Sequence, residues 1–303
     1  MLIVTHEACL GHDPGKLHPE CPERLRAVMA GVEEFAADHP VDIRDAPEVT
    51  REALLRVHTA AYVDRLEKLF PREGRVQLDP DTIISPGTRA AVYRGAGAME
   101  YAVDEVLAGR TRRVFCAVRP PGHHAEPELS MGFCLFNNVA IGAAKALDAG
   151  VERVAVVDFD VHHGNGTEAR FGGDKRVLFC SLFQYPLYPD SGMDPPDNCI
   201  SVPLDAGTDG RAYREAFYAQ VEQRLRQFKP KLVFISAGFD AHAGDPLAGL
   251  MLKDEDYAWL TEHIVSVAEA SADGRVISTL EGGYRIDALR GATLAHLQAL
   301  AED

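Results

Sequence analysis

The stretch VVDFDVHHGNGT, residues 156–167, places Asp158, Asp160, His162 and His163 within six positions, directly after an apolar run. Residues two apart in extended backbone point the same way, so Asp160 and His162 can grip one cation. Asp240, in SAGFDAH, can reach the same point from another strand end. One imidazole and two carboxylates leave a coordination position open on a small divalent ion, as a catalytic zinc site does and a closed structural one does not. A lone D-x-H more often ends a strand and caps the next helix. The second aspartate and a further histidine pair move the balance towards a metal.

That pair, His123 and His124, sits in RPPGHHA, where a Pro-Gly loop fixes the backbone beneath both rings. Beside a metal the two are either extra ligands or acid–base groups for water. A carboxylate or amide partner would fix each tautomer, and Asp158 and Asn165 are available. LEGGY sets Tyr284 behind two glycines. Its plain reading is a turn followed by a packing tyrosine; its functional reading is a mobile loop that brings a phenol to a developing oxyanion. MGFCLFNN, residues 131–138, is either an aromatic lead-in to a helix or one wall of an apolar slot.

These residues need a frame. Short β-branched runs occur at 113–118, 153–160, 176–183, 199–204, 231–240 and 275–284. Between them, 137–150, 211–228 and 254–270 repeat apolar residues every three to four positions, as helices lying on a sheet do. Repeated alternation predicts βαβ crossovers, hence an α/β fold with a mostly parallel sheet and helices on both faces. No linker or repeat interrupts residues 1–303, which read as one domain. Ligands of open parallel sheets bind beyond the carboxyl ends of the strands. Five of the predicted strands deliver Arg119–His124, Asp158–His163, Ser181, Asp240 and Glu281–Tyr284 to that rim. The loops 119–136, 184–197 and 241–250 are long enough to build a site.

Composition narrows the function. The chain has 303 residues, 46% hydrophobic and 25% charged, with a net charge of −15. That acidity argues against direct nucleic-acid binding, since no basic stripe displaces counterions from phosphates. It would steer a cationic ligand favourably, although solubility alone explains it as well. No run of about 18 apolar residues is present, so no spanning helix and no membrane partner is expected. The opening MLIVT is too short for a signal-peptide core and lacks a basic flank. Six cysteines without short spacings fit reduced thiols in a cytoplasm.

RPPGHHA, GFCLFNN, VVDFDVHHGNGT, SAGFDAH followed by GDPL, and LEGGY occur here in this order. With HPECPERL and RVHTAAYVDRL near the start, the set resembles the zinc-dependent histone deacetylase and acetylpolyamine amidohydrolase family across nearly the whole chain. The resemblance implies the arginase/deacetylase fold and hydrolysis of N-acetyl amides, on a peptide or small-molecule acetylated amine. It implies that Asp160, His162 and Asp240 hold zinc. His124 would act as general base and then acid, His123 would give electrostatic support, and Tyr284 would polarise the acyl carbonyl. Asp158 would orient His123, and Asn165 would orient His124; an asparagine there is similar to the class II branch. Gly132, Phe133 and Tyr188 would line the acyl channel, and Asp81 would meet substrate backbone. A structural potassium would use Asp158, Asp160, His162, Ser181 and Leu182.

Two positions depart from the pattern. Phe183 stands where a histidine is frequent, which predicts a more apolar rim. Leu247 follows GDP where one polyamine-specialised branch has a glutamate, so a polyamine preference is weakened. Two other readings stay open. A manganese ureohydrolase on the same fold would need further carboxylates where this chain has Gly164 and His242, and a silent acyl-lysine-binding module would not need every catalytic group. A homo-oligomer is compatible with all of these.

Overall fold

A computed structural model describes residues 1–301. Its central feature is an eight-stranded sheet, in which every neighbouring pair is parallel. In chain order the strands are β1 (Leu2–Thr5), β2 (Asp42–Asp45), β5 (Arg113–Cys116), β6 (Val154–Asp158), β7 (Val177–Gln184), β8 (Cys199–Leu204), β9 (Leu232–Ala237) and β10 (Val276–Leu280); β3 (Val76–Gln77) and β4 (Ile83–Ile84) form a separate antiparallel pair. Across the sheet the order is β2-β1-β5-β10-β9-β6-β7-β8. The inner strands β5, β6, β7, β9 and β10 are buried at every residue, as strands covered on both faces must be.

The helices are α1 (Pro22–Asp38), α2 (Arg51–Leu55), α3 (Ala60–Leu69), α4 (Thr88–Leu107), α5 (Asn138–Asp148), α6 (Asn165–Phe171), α7 (Gly210–Phe217), α8 (Gln223–Phe228), α9 (Asp254–Ser271) and α10 (Ile286–Ala301). They cover both faces of the sheet: α4 and α5 pack together against its middle, and α1, α9 and α10 form the other packed set. Local chemistry starts several of them. Pro22 opens α1, where its missing N–H costs nothing. The side chains of Thr59 and Asn137 accept from Tyr62 N–H at 3.3 Å and Ala140 N–H at 3.0 Å, capping α3 and α5. The expected helix over 211–228 is present, with a π turn over Tyr218–Glu222 joining α7 to α8.

One apolar core runs from Leu2 to Leu300. The opening apolar run, read only as no signal peptide, is β1, an interior strand between β2 and β5.

Candidate active site

Strands β5, β10, β9, β6 and β7 are consecutive in the sheet, so their carboxyl ends form one continuous rim. The chemistry-bearing residues lie just past those ends. β6 closes at Asp158, whose Oδ1 accepts from Asp160 N–H at 3.1 Å; Asp160 Oδ1 then accepts from His162 N–H at 2.9 Å. Two successive aspartate turns, and not strand alternation, therefore aim Asp160 and His162. Asp240 lies three residues beyond β9, and its Oδ1 accepts from Val161 N–H at 2.8 Å.

Asp160, His162 and Asp240 are all buried and offer ligand atoms within 4.8 Å of one another. His162 Nδ1 stands 3.0 Å from Asp160 Oδ1 and 3.2 Å from Asp240 Oδ2. Asp240 Oδ2 is buried without a geometrically sound hydrogen bond, a state that calls for a partner. Burial and the neighbouring Asp160 push Asp240 up to about 7. Burial opposes charge on His162, yet the Asp160 and Asp240 carboxylates beside its Nδ1 raise it to about 10. Two carboxylates in this apolar setting demand positive charge, which a proton on His162 or a divalent cation provides. One imidazole nitrogen and two carboxylate oxygens are a zinc donor set with a position left open, so the residues fit that ion.

The adjacent histidines have different partners. His123 Nδ1 bonds Asp158 Oδ2 at 2.9 Å, and its Nε2 lies 3.7 Å from Asp160 Oδ1. Burial disfavours its charge, but Asp160 and Asp158 outweigh burial and hold it well above the ordinary histidine range. His124 Nδ1 bonds Asn165 Oδ1 at 2.7 Å. Burial, reinforced by the charges of His123 and His162, drives it well below that range. Two rings with centroids 4.0 Å apart thus divide into a cation and a neutral base.

Tyr284 sits on a tied loop. Gly282 N–H donates to Asp160 Oδ2 at 2.7 Å, Arg24 Nε donates to Gly283 O at 2.6 Å, and Asp245 Oδ2 accepts from Tyr284 N–H at 2.8 Å. The glycines serve close approach, contrary to the mobile loop expected: a Cβ on Gly282 would collide with the Asp240 and Asp160 carboxylates, and Gly283 has φ 118°. Burial keeps the Tyr284 phenol protonated, well above its ordinary range, although the Arg24 guanidinium over its ring works the other way.

A pocket of about 220 Å³ opens over these groups, lined by Asp81, His124, Gly132, Phe133, His162, Leu187, Tyr188, Leu247 and Tyr284. Gly132 has φ 56° and packs on the His124 ring, where a Cβ would clash. Asp81 Oδ1 accepts from Gly132 N–H at 3.2 Å, fixing that wall. Phe183 does not supply the apolar rim expected of it: it is buried and packs on His163 at 4.8 Å between centroids. Leu187, Tyr188 and Leu247 are apolar there instead. Ser181 and Leu182 are wholly buried in β7, outside the pocket, with Ser181 opposite Asp158 in register.

The histone deacetylase domain matches residues 18–300. The chain belongs to the histone deacetylase family. It is 39% identical to a histone deacetylase-like amidohydrolase of Pseudomonas aeruginosa, over 88% of this chain and 72% of that protein. It is 37% identical to type-2 histone deacetylase 2 of Dictyostelium discoideum, over the whole chain but only 21% of that longer protein. The crystal structure of the HDA15 HD domain superposes with a TM-score of 0.91 at 31% identity, covering 100% of this chain and 91% of that one. These relatives support the arginase/deacetylase fold and hydrolysis of deacetylase type on an acetylated substrate.

The sequence reading set Glu281 on the rim without a role, and it missed Arg24, Glu126 and Leu187. Glu281 is buried and its Oε2 accepts from Gly122 and His123 N–H at 2.6 and 3.1 Å; burial raises it to about 7. Arg24 and Glu126 hold Tyr284's loop and Asn165, and Leu187 lines the pocket. Arg24 lies inside HPECPERL and Glu126 directly follows RPPGHHA, so a charged residue in or next to a quoted motif was the available signal.

Proposed function

We propose that this chain is a metal-dependent amidohydrolase that releases acetate from acetyl-lysine or from acetylated polyamine-type amines. The observation that carries this reading is that the Asp160, His162 and Asp240 cluster meets, through His162, the same pocket as His124 and Tyr284. Those three side chains would hold zinc, which supplies Lewis-acid polarisation of an acyl oxygen and acidification of water. His124, neutral and bonded through Nδ1, takes a proton at Nε2 from the attacking water and gives it to the departing amine. His123, charged against Asp158, stabilises negative charge as it develops. Tyr284 donates its hydroxyl proton in a hydrogen bond to the acyl oxygen. Phe133 and Tyr188, beside Gly132, hold the alkyl chain; Asp81 meets substrate backbone and Leu247 borders the mouth.

Asp158, Asp160, His162, Ser181 and Leu182 would hold a structural potassium beneath the zinc. Residues 1–303 would act as one domain, and six unpaired cysteines suit a reducing cytoplasm. A binuclear manganese ureohydrolase fits less well. Only one metal-competent group occurs among the described residues, and His242 Nε2 faces Asp254 at 3.3 Å.

The deciding experiment assays metal-reconstituted protein on acetyl-lysine peptides, acetylated polyamines, arginine and agmatine, with and without chelator. Chelator-sensitive acetate release is expected. Urea release, or no turnover of any acetylated amine, overturns the reading.

A further inference from the structure

We propose that Glu126 is a positioning residue that acts through Asn165 to hold His124 in its reactive tautomer, an inference resting on the amidohydrolase reading above. Asn165 Nδ2 donates to Glu126 Oε1 at 2.8 Å, while Asn165 Oδ1 faces His124 Nδ1 at 2.7 Å. A carboxylate only accepts, so Glu126 decides which end of the amide it meets. With the amide nitrogen committed to Glu126, the amide oxygen is left for the ring. His124 must then carry its proton on Nδ1, and Nε2 keeps a lone pair for the pocket.

Turning the amide over would press two acceptor oxygens together at Glu126 and aim N–H at His124 Nδ1. The ring would then protonate Nε2, the atom that has to accept a proton. An aspartate at 165 would need no such anchor, because both its oxygens accept. The amide nitrogen of Asn165 also meets Met131 Sδ at 3.3 Å, a weak acceptor, and His124 O at 3.5 Å, the limit of a hydrogen bond; the Glu126 carboxylate at 2.8 Å is the shortest of the three contacts and sets the orientation.

Glu126 is itself anchored. Its N–H donates to Leu129 O at 2.9 Å, and its carbonyl accepts from His58 Nδ1 at 3.0 Å. His58 Nε2 accepts in turn from Asn137 N–H at 3.0 Å, and burial lowers this ring to about 4, so it stays a neutral, singly oriented tie. The RVHTAAYVDRL segment thereby gains a role: its histidine places the glutamate that orients the amide.

The test compares wild type with E126L, E126Q, N165D and the double variant E126L/N165D. Kinetics are measured on an acetyl-lysine substrate, and ¹⁵N spectra of the histidine rings are assigned by loss of the His124 signal in H124Q. E126L should lower kcat about 10–100-fold at little change in KM. Its His124 signal should pass from Nδ1–H to a mixture of tautomers. E126Q, whose amide can accept from or donate to Asn165, no longer dictates which end it meets and should fall between wild type and E126L, with a partial tautomer mixture. In the N165D background, removing Glu126 should cost nothing or raise activity, since two adjacent carboxylates repel. An E126L protein with wild-type kcat and an unchanged Nδ1–H signal overturns the proposal, as does an equal loss in both backgrounds. Wild type without amidohydrolase turnover would defeat the functional reading alone; the ring spectra would still decide Glu126.

Discussion

His296 and His124 are both buried histidines that burial keeps neutral, yet one ties the core and the other faces a pocket. His296 lies among Phe115, Phe159 and Phe239 between α10 and the sheet. Its Nδ1 bonds Thr261 Oγ1 at 2.7 Å and its Nε2 bonds Ser278 Oγ at 2.8 Å, so neither nitrogen is spare. His124 has one nitrogen bonded to Asn165 and borders the 220 Å³ pocket, beside the charged His123 and the carboxylates of the metal-competent cluster. Residue type and burial are therefore the same in the two regions. The number of partners on the ring and the charge nearby separate a structural histidine from a reactive one.

The sharpest way to break that contrast is to remove the charge that defines the site. Asp240→Asn should abolish metal binding and turnover, read by metal content after dialysis and by acetate release. It should also stabilise the chelated protein. Asp240 is raised from 3.8 to about 7 in the fold, so ionising it costs stability as pH rises through that window. Chelated wild type should lose stability as pH rises from about 4 to 7 while the variant stays flatter in thermal unfolding; parallel curves would contradict this account. Next in size, Tyr284→Phe should lower kcat by about 10²–10³ with the metal retained, since only an oxyanion donor is lost. Full turnover in that variant removes the tyrosine from the mechanism. Gly282→Ala should follow at about 10–100-fold in metal affinity, because its Cβ displaces the Asp160 and Asp240 carboxylates. Titration of zinc against a competing chelator measures it.

What was legible in the sequence follows the same division. The strands β5, β6, β7, β9 and β10 read correctly because covered parallel strands are continuous apolar runs, and the partly buried edge strand β8 read from its β-branched residues; the ends of the covered strands marked the rim. Of the pocket residues, His124, His162 and Tyr284 stood out as polar groups at strand ends, whereas Asp81, Gly132, Phe133, Tyr188 and Leu247 came only from the family resemblance and Leu187 from neither. β2 was not legible: Asp42–Asp45 is an exposed edge strand of alternating charge, which needs no apolar face. α4 escaped as well, its small residues Gly95, Ala96, Gly97 and Ala98 all buried against neighbours, so its packing depends on closeness more than on a large apolar stripe. Orientation was harder still. That Glu126 faces an amide, or that Phe183 turns inward, depends on loop paths that no local pattern encodes.

The smallest expected effect on chemistry is the test of the other half of the comparison. His296→Leu should leave turnover at pH 7 unchanged, since the ring packs among Phe115, Phe159 and Phe239 away from the pocket, but should cost about 1–3 kcal/mol of stability by stranding the Ser278 hydroxyl, while Thr261 Oγ1 keeps its bond to Tyr257 O. Burial lowers His296 from 6.5 to about 3 in the fold. Its stability contribution is thus complete above pH 6.5 and is lost as pH falls towards 3, because the unfolded chain binds the proton first. Denaturant melts at pH 7 and pH 4.5 should show wild type losing more stability than the leucine variant, with the gap between them narrowing. His58, lowered to about 4, contributes the same acid sensitivity to both proteins and cancels in the difference. An identical acid loss in both would mean that the core ring is not held neutral, and that partner count alone does not separate it from His124.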